Sequence, residues 1–158
     1  MKNTTLIKFQ DLISSYEEIK PQIDLAVKRV VESGQYVLGR EVKTFESEFA
    51  KYCGTKYCIG VNSGMDALYL ILKAWGIKKG DEVIVPVHTF IATWLAISNL
   101  GAVPVPVDIE EKTYNMDTQK IKQALSTKTK AIIAVHLYGQ ISNMDPINRI
   151  GKEYGLKV

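Results

Sequence analysis

Glu82-Val83-Ile84-Val85-Pro86-Val87-His88-Thr89-Phe90-Ile91-Ala92-Thr93 packs three elements into twelve residues. A short apolar run gives way to a polar junction carrying an imidazole, a hydroxyl and an aromatic ring, and the junction opens a helical stretch, Ile91 to Asn99. Three other runs have the same texture: Tyr57-Cys58-Ile59-Gly60-Val61, Val103-Pro104-Val105-Pro106-Val107 and Ala131-Ile132-Ile133-Ala134-Val135. Runs this short and this continuously apolar read as strands covered on both faces, which means a mostly parallel sheet. Helical stretches fit between and after them, at Ala67 to Trp75, Asp117 to Leu125 and Met144 to Tyr154, so the chain reads as successive βα units of an α/β fold. Pro104 and Pro106 cannot donate to a ladder, which puts their strand at an edge or distorts it.

Upstream the period changes. Ile23, Ala26, Val27, Val30 and Val31 recur at three-and-four spacing between Glu17 and Ser33, with Pro21 near the start and Gly34 after the end, which reads as an amphipathic helix. Val42, Phe45, Phe49 and Tyr52 repeat the pattern up to Gly54. The expected division is a helical segment over residues 1–55 and an α/β domain over 56–158. Gly155-Leu156-Lys157-Val158 reads as a turn and the first steps of another strand, so the expected domain is incomplete, truncated within its sheet.

The 158 residues carry 20 Lys and Arg against 17 Asp and Glu. The lysines are scattered and never form a like-charged run, so no nucleic-acid arm or membrane patch is expected. No apolar run approaches the ~18 residues of a membrane helix, and the N-terminus lacks a signal peptide's apolar core, so the expected location is cytoplasmic. Cys53 and Cys58 have no nearby Cys or His to complete a metal site and read as buried free thiols.

Parallel sheets bind ligands beyond the C-terminal ends of their strands. At Val61-Asn62-Ser63-Gly64-Met65-Asp66-Ala67-Leu68, Ser63 is a good N-cap and Asp66 completes a capping-box spacing, while Gly64 allows close approach to the backbone. Free amides at that helix start suit a phosphate. The same residues equally describe a capped helix that binds nothing. Phe90 offers a ring to stack on a planar heterocycle or to bury in a core. Asp108, and the group His136-Leu137-Tyr138-Gly139-Gln140, place polar side chains at two further strand ends, where a hydrogen-bonded loop would also account for them. There is no nucleophile with its base, no paired carboxylates, no metal cluster, no G-x-G-x-x-G and no Walker loop.

Taken in order, these segments resemble the DegT/DnrJ/EryC1/StrS family of sugar aminotransferases. The resemblance rests on Ser33-Gly34-Gln35-Tyr36-Val37-Leu38-Gly39, Glu41-Val42, Phe45-Glu46 and Phe49-Ala50, then on Asn62-Ser63-Gly64 with Asp66-Ala67-Leu68. It continues through Gly80-Asp81-Glu82-Val83-Ile84-Val85-Pro86, Thr89-Phe90-Ile91-Ala92-Thr93, Gly101-Ala102 and Lys128-Thr129-Lys130-Ala131-Ile132-Ile133. Val135-His136-Leu137-Tyr138-Gly139-Gln140 and Met144-Asp145 close the series.

That resemblance implies the large domain of a fold-type-I, aspartate aminotransferase-like transferase dependent on pyridoxal 5'-phosphate (PLP), working as a homodimer. The implied reaction moves an amino group from an amino acid, usually glutamate, to a nucleotide-linked keto-deoxysugar. Ser63 and the backbone of Gly64 and Met65 would hold the cofactor phosphate. Met65 stands where the family commonly has threonine, so a side-chain hydroxyl is missing there while the backbone contact is unaffected. Phe90 would stack on the pyridine ring. His136 and Tyr138 would lie on the substrate side, and the Gly34 to Gly39 loop near the substrate entrance or the partner subunit.

The Schiff-base lysine and the carboxylate facing the pyridine nitrogen are expected beyond Val158, so no catalytic residue is assigned and the chain alone is expected to be inactive. Tyr57 to Val61 would pair, in that fold, with a later antiparallel strand and is expected to expose apolar side chains. Two alternatives stand beside this reading: a PLP-dependent sugar dehydratase of the same fold, and a non-catalytic remnant that binds phosphate ligands or a partner subunit.

Overall fold

The computed structural model describes residues 7–158, which divide between Gly60 and Val61 into two compact units.

The first unit holds two helices. The first, α1, spans Leu12–Ser33, begins five residues earlier than the periodicity predicts and is non-helical at Ile19. Asp11 explains the early start: its carboxylate accepts the Ser14 N–H and caps the helix. Pro21 explains the interruption, because its ring disfavours helical geometry just before it. The second, α2, spans Arg40–Cys53. Both end on a glycine in the left-handed conformation, Gly34 and Gly54, as the sequence leads one to expect. Tyr57 to Gly60 continues from α2 without forming a strand, against the sequence reading, and Tyr57 and Ile59 stay exposed. A strand is defined by the ladder it shares, and this segment has no partner among the described residues.

The second unit is a parallel sheet with helices on both faces. Its elements are α3 (Gly64–Ala74), β1 (Glu82–Pro86), α4 (Ile91–Ser98), β2 (Val103–Val107), a 3₁₀ turn (Ile121–Ala124), β3 (Thr129–Ile132), a second 3₁₀ turn (Leu137–Gly139) and α5 (Met144–Tyr154). The strand order is β2-β1-β3, parallel throughout.

Side chains alternate across this sheet. Val83, Val85 and Ala131 pack on one face with Leu72 of α3 and Ile97 of α4. Ile84 and Ile132 pack on the other with Val107, Met116, Ile121 and, from α5, Ile147 and Ile150. Two-sided burial is the physical reason β1 reads as an unbroken apolar run.

The edge position of β2 agrees with its prolines. Val103 donates to Asp81 and Val107 accepts from Val87 across the β1 side, so the alternate residues Pro104 and Pro106 fall where a missing N–H costs no ladder bond. On the far side of β3, the Lys157 carbonyl accepts from Ile132 and the Lys157 N–H donates to Lys130, a parallel bridge where the sequence suggests another strand.

The helix expected at Asp117 to Leu125 is not formed beyond the four-residue 3₁₀ turn. Asp117 diverts it. Its carboxylate accepts the Gln119 N–H and its carbonyl the Lys120 N–H, closing a local turn that competes with a helical start.

Candidate cofactor and sugar site

The start of α3 is built as the capping pattern predicts. Ser63 Oγ accepts the Asp66 N–H at 3.1 Å, and the Ser63 hydroxyl lies 2.9 Å from the Asp66 carboxylate. The Ser63 carbonyl takes the Ala67 N–H. Two amides of the first turn, those of Gly64 and Met65, are given to no acceptor among the described residues. A methyl placed on Gly64 would meet nothing within 4 Å, so the chain's own packing does not require a glycine there. Two unspent N–H groups at the positive end of a helix are the donors an anion needs.

Phe90 caps α4 from the loop that leaves β1, and 75% of its surface is exposed. Its neighbour Thr89 shares a hydrogen bond with the buried Thr93 hydroxyl at 3.0 Å, which ties the loop to the first turn of α4. The aromatic side chain is thus presented and not buried. The free amides suit an anion, and the bare ring offers a face on which a planar group can stack.

The residues after β3 go to different places. Tyr138 projects outward, 81% exposed, and its hydroxyl stands 3.3 Å from Nε2 of His88, two residues before Phe90. His136 turns elsewhere: its Nδ1 accepts the Ser142 N–H, which leaves the ring proton on Nε2, and it lines a cavity of about 290 Å³ with Leu68, Leu72, Trp75 and Asn148. Asp108, at the end of β2, is spent internally, accepting from the Ile109 N–H and from Lys120. Those hydrogen bonds, led by the one from Lys120, hold its carboxyl below the usual carboxylate range. In the first unit the Gly34 to Gly39 loop borders an open cleft of about 570 Å³ with Arg29 and Arg40.

The profile of the DegT/DnrJ/EryC1/StrS aminotransferase family matches residues 17–158. The chain belongs to that family. Among relatives in the family, dTDP-3-amino-3,6-dideoxy-alpha-D-galactopyranose transaminase of Aneurinibacillus thermoaerophilus is 53% identical over 97% of this chain and 42% of its own length. Among solved structures, Streptomyces venezuelae DesV in complex with a ketimine intermediate is 48% identical with a TM-score of 0.94, over 97% of this chain and 41% of DesV. The ntda protein of Bacillus subtilis with bound cofactor PMP is 35% identical with a TM-score of 0.90, over 100% of this chain and 37% of that protein. The chain therefore spans about two fifths of the length of the family members it matches, and its fold is that of the corresponding region of aminotransferases. Among the described residues no helix is long and apolar enough to cross a membrane, and no group of three His, Cys, Asp or Glu side chains is placed to hold a metal ion. The thiols are free, though not buried as their sequence context suggests: Cys53 is exposed and Cys58 half-buried.

The sequence singles out Ser63, Gly64, Met65 and Phe90, but the meeting of His88 with Tyr138 is invisible in it. Fifty residues separate the two. Tyr114, whose ring centroid lies 6.3 Å from that of His88, gave no signal, because its place depends on a left-handed backbone at φ 57°.

Proposed function

We propose that this chain provides the phosphate-holding and ring-stacking part of the PLP site of a nucleotide-sugar aminotransferase. The observation that carries the reading is the pair of unspent amides at Gly64 and Met65 at the start of α3. These amides hold the cofactor phosphate, Ser63 keeps the helix start in shape, and Phe90 stacks on the pyridine. When bound, the cofactor supplies an electron sink for moving an amino group between an amino acid, here glutamate, and a nucleotide-linked keto-deoxysugar. Tyr138 lies on the substrate side. His136, with its Nδ1 engaged by the Ser142 N–H, keeps only Nε2–H to donate, and it faces the cavity it lines with Leu68 and Trp75. The transaminase names of the relatives favour amino transfer over the dehydratase reading. The complete protein is a cytoplasmic homodimer. None of the lysines among these 158 residues stands in the family's Schiff-base context, so the chain alone does not turn over.

Titrating the chain with pyridoxal phosphate and with phosphate-free pyridoxal, followed by ³¹P NMR and absorbance, tests the site. The phosphorylated compound binds more tightly, and Phe90→Ala weakens it about tenfold, the scale of one aromatic stacking contact. Equal binding of the two compounds, or no effect of Phe90→Ala, sinks the assignment. Glutamate-dependent turnover by the unmodified chain would refute the statement about its activity.

A further inference from the structure

Three segments of the second unit meet at the N-terminal ends of the strands: the turn from α3 into β1, the start of β3, and the turn after α5. They enclose a cleft of about 320 Å³ lined by Trp75, Lys78, Asp81, Lys130, Gly155 and Lys157. That volume lies at the lower end of the range for small-molecule sites. Trp75 is 39% exposed, so part of its indole is open to a ligand.

Lys130 reaches the cleft through an irregularity in the sheet. Glu82 pairs with Thr129 and Val83 with Ala131, so Lys130 is an extra residue between two ladder pairs. Thr129, Ala131 and Ile132 are buried, and Lys130 alone in β3 is exposed. Strict alternation would put it on the side of Ile132, which packs with Ile147 and Ile150 of α5. The bulge turns it outward instead. None of Lys78, Lys130 and Lys157 forms an ion pair among the described residues. The one carboxylate of the cleft, that of Asp81, accepts the Lys78 N–H. Nor do the lysines have to close the helix ends. The Leu72 and Lys73 carbonyls of α3 take the Ile77 and Gly76 N–H groups, and the Gly151 carbonyl of α5 takes that of Leu156. The cleft therefore gathers three cations against one carboxylate, beside an accessible indole.

We propose that this cleft binds a nucleotide, with its base against Trp75 and its phosphates among Lys78, Lys130 and Lys157. Lysines are point charges that hold phosphate oxygens without fixing their geometry. An aromatic face in the same cavity adds the stacking that a bare phosphate chain cannot use. Three like charges drawn together repel, and an anion bound among them relieves that repulsion. The proposal does not rest on the cofactor reading. Trp75 follows the last residue of α3 while Gly64 opens it, and eleven helical residues separate the two by about 16 Å. The first residue of β1 likewise lies toward the cleft, whereas Phe90 follows the strand's other end.

Proton–nitrogen correlation NMR of the 158-residue chain, titrated with ATP and separately with inorganic tripolyphosphate, decides the matter. The chain has 2 tryptophans, and the indole resonance of Trp75, identified by its absence in Trp75→Phe, shifts with ATP while that of Trp94 stays. Tripolyphosphate binds about tenfold more weakly, the scale of one base–aromatic stack. Lys130→Gln and Lys157→Gln each weaken ATP binding about threefold, the scale of one exposed charge pair. Lys43→Gln, on α2, leaves it unchanged. All three lysines are exposed, so an unchanged circular-dichroism melt certifies the fold of each variant. Four results overturn the proposal: a Trp75 resonance indifferent to ATP, equal affinity for ATP and tripolyphosphate, an ATP affinity that both cleft substitutions leave intact, or amide shifts confined to residues 88–90 and 136–140. In each case the pyridoxal phosphate titration with Phe90→Ala still judges the cofactor assignment independently.

Discussion

Helices α1 and α2 of the first unit and helices α4 and α5 of the second all carry apolar residues at helical spacing, yet their fates differ. No residue of α1 is buried, and α2 buries only Ala50, leaving Phe45, Phe49 and Tyr52 exposed, with the Phe45 and Phe49 rings stacked and Tyr52 tilted against Phe49. Thr93, Ala96 and Ile97 of α4 and Ile147, Ile150 and Gly151 of α5 are buried. Periodicity therefore reports that a helix has an apolar face, while the tertiary partner decides whether that face stabilises anything.

The contrast breaks most visibly at the centre of the sheet. Ile84 is 0% exposed in the central strand. Ile84→Ala removes buried methyl groups and leaves a cavity, and about 2–5 kcal/mol of stability goes with them. Phe49→Ala removes a larger side chain and costs less than about 1 kcal/mol, because nearly half of that side chain is already in solvent. Urea unfolding of both variants makes the comparison, and equal losses would mean that the apolar face of α2 is covered in solution.

Asn115→Ala comes next. Loss of both side-chain hydrogen bonds leaves the Leu137 N–H and the Gln140 carbonyl without their partners, a cost of about 1–3 kcal/mol if they remain buried. The local signature sharpens the test. Amide hydrogen exchange should rise at residues 137–140 while β1 stays protected. Uniformly faster exchange would show that Asn115 supports the core and not the turn.

The pattern of what could be read from sequence follows the same physics. Helix α5 appears between the two residues the sequence marks, Met144 and Tyr154, because its apolar stripe and glycine stop are local signals that tertiary packing then rewards. The β2 edge was legible because proline restricts hydrogen bonding wherever it stands. At Tyr57 to Gly60 the pattern could promise no strand, since a strand needs a neighbour. At Asp117 a short-range side-chain bond outcompeted helical spacing. In the candidate site, the Ser63 cap and the glycine after it were readable because they act within three residues. The His88–Tyr138 contact was not, because it depends on two loops fifty residues apart and on a backbone conformation that no residue type advertises.

Ser63→Ala ranks third. Its side chain satisfies the Asp66 N–H, and losing such a cap costs about 1 kcal/mol. Thermal denaturation of the variant should show a modest drop, with the Gly64 and Met65 amides exchanging faster. A variant as stable as the parent would mean that a water molecule or Asn62 replaces the cap.

The smallest effect concerns charge, and it tests whether surface pairing contributes to the better-packed unit. Lys122 Nζ donates to both carboxylate oxygens of Glu153, at 3.0 and 2.9 Å, linking the 3₁₀ turn to α5. The hydrogen bond from Lys122 lowers the Glu153 pKa from its ordinary value near 4.5 and raises that of Lys122. A depressed acid pKa contributes stability that is present above the unfolded-state value and lost as pH falls through the folded-state value. The contribution of Glu153 is therefore complete at neutral pH and disappears in the acid range below about pH 4.5. Lys122 behaves in the opposite sense, contributing below its ordinary value near 10.5 and losing that contribution as pH rises through the elevated one. Glu153→Gln should flatten the acid limb of the stability curve slightly, with the difference from the parent shrinking in high salt, because both groups face solvent and are screened. Stability followed in urea between pH 7 and pH 3 checks this. If the two curves run parallel, the ion pair is geometrically present but energetically silent, and the second unit owes its stability to the two faces of its sheet alone.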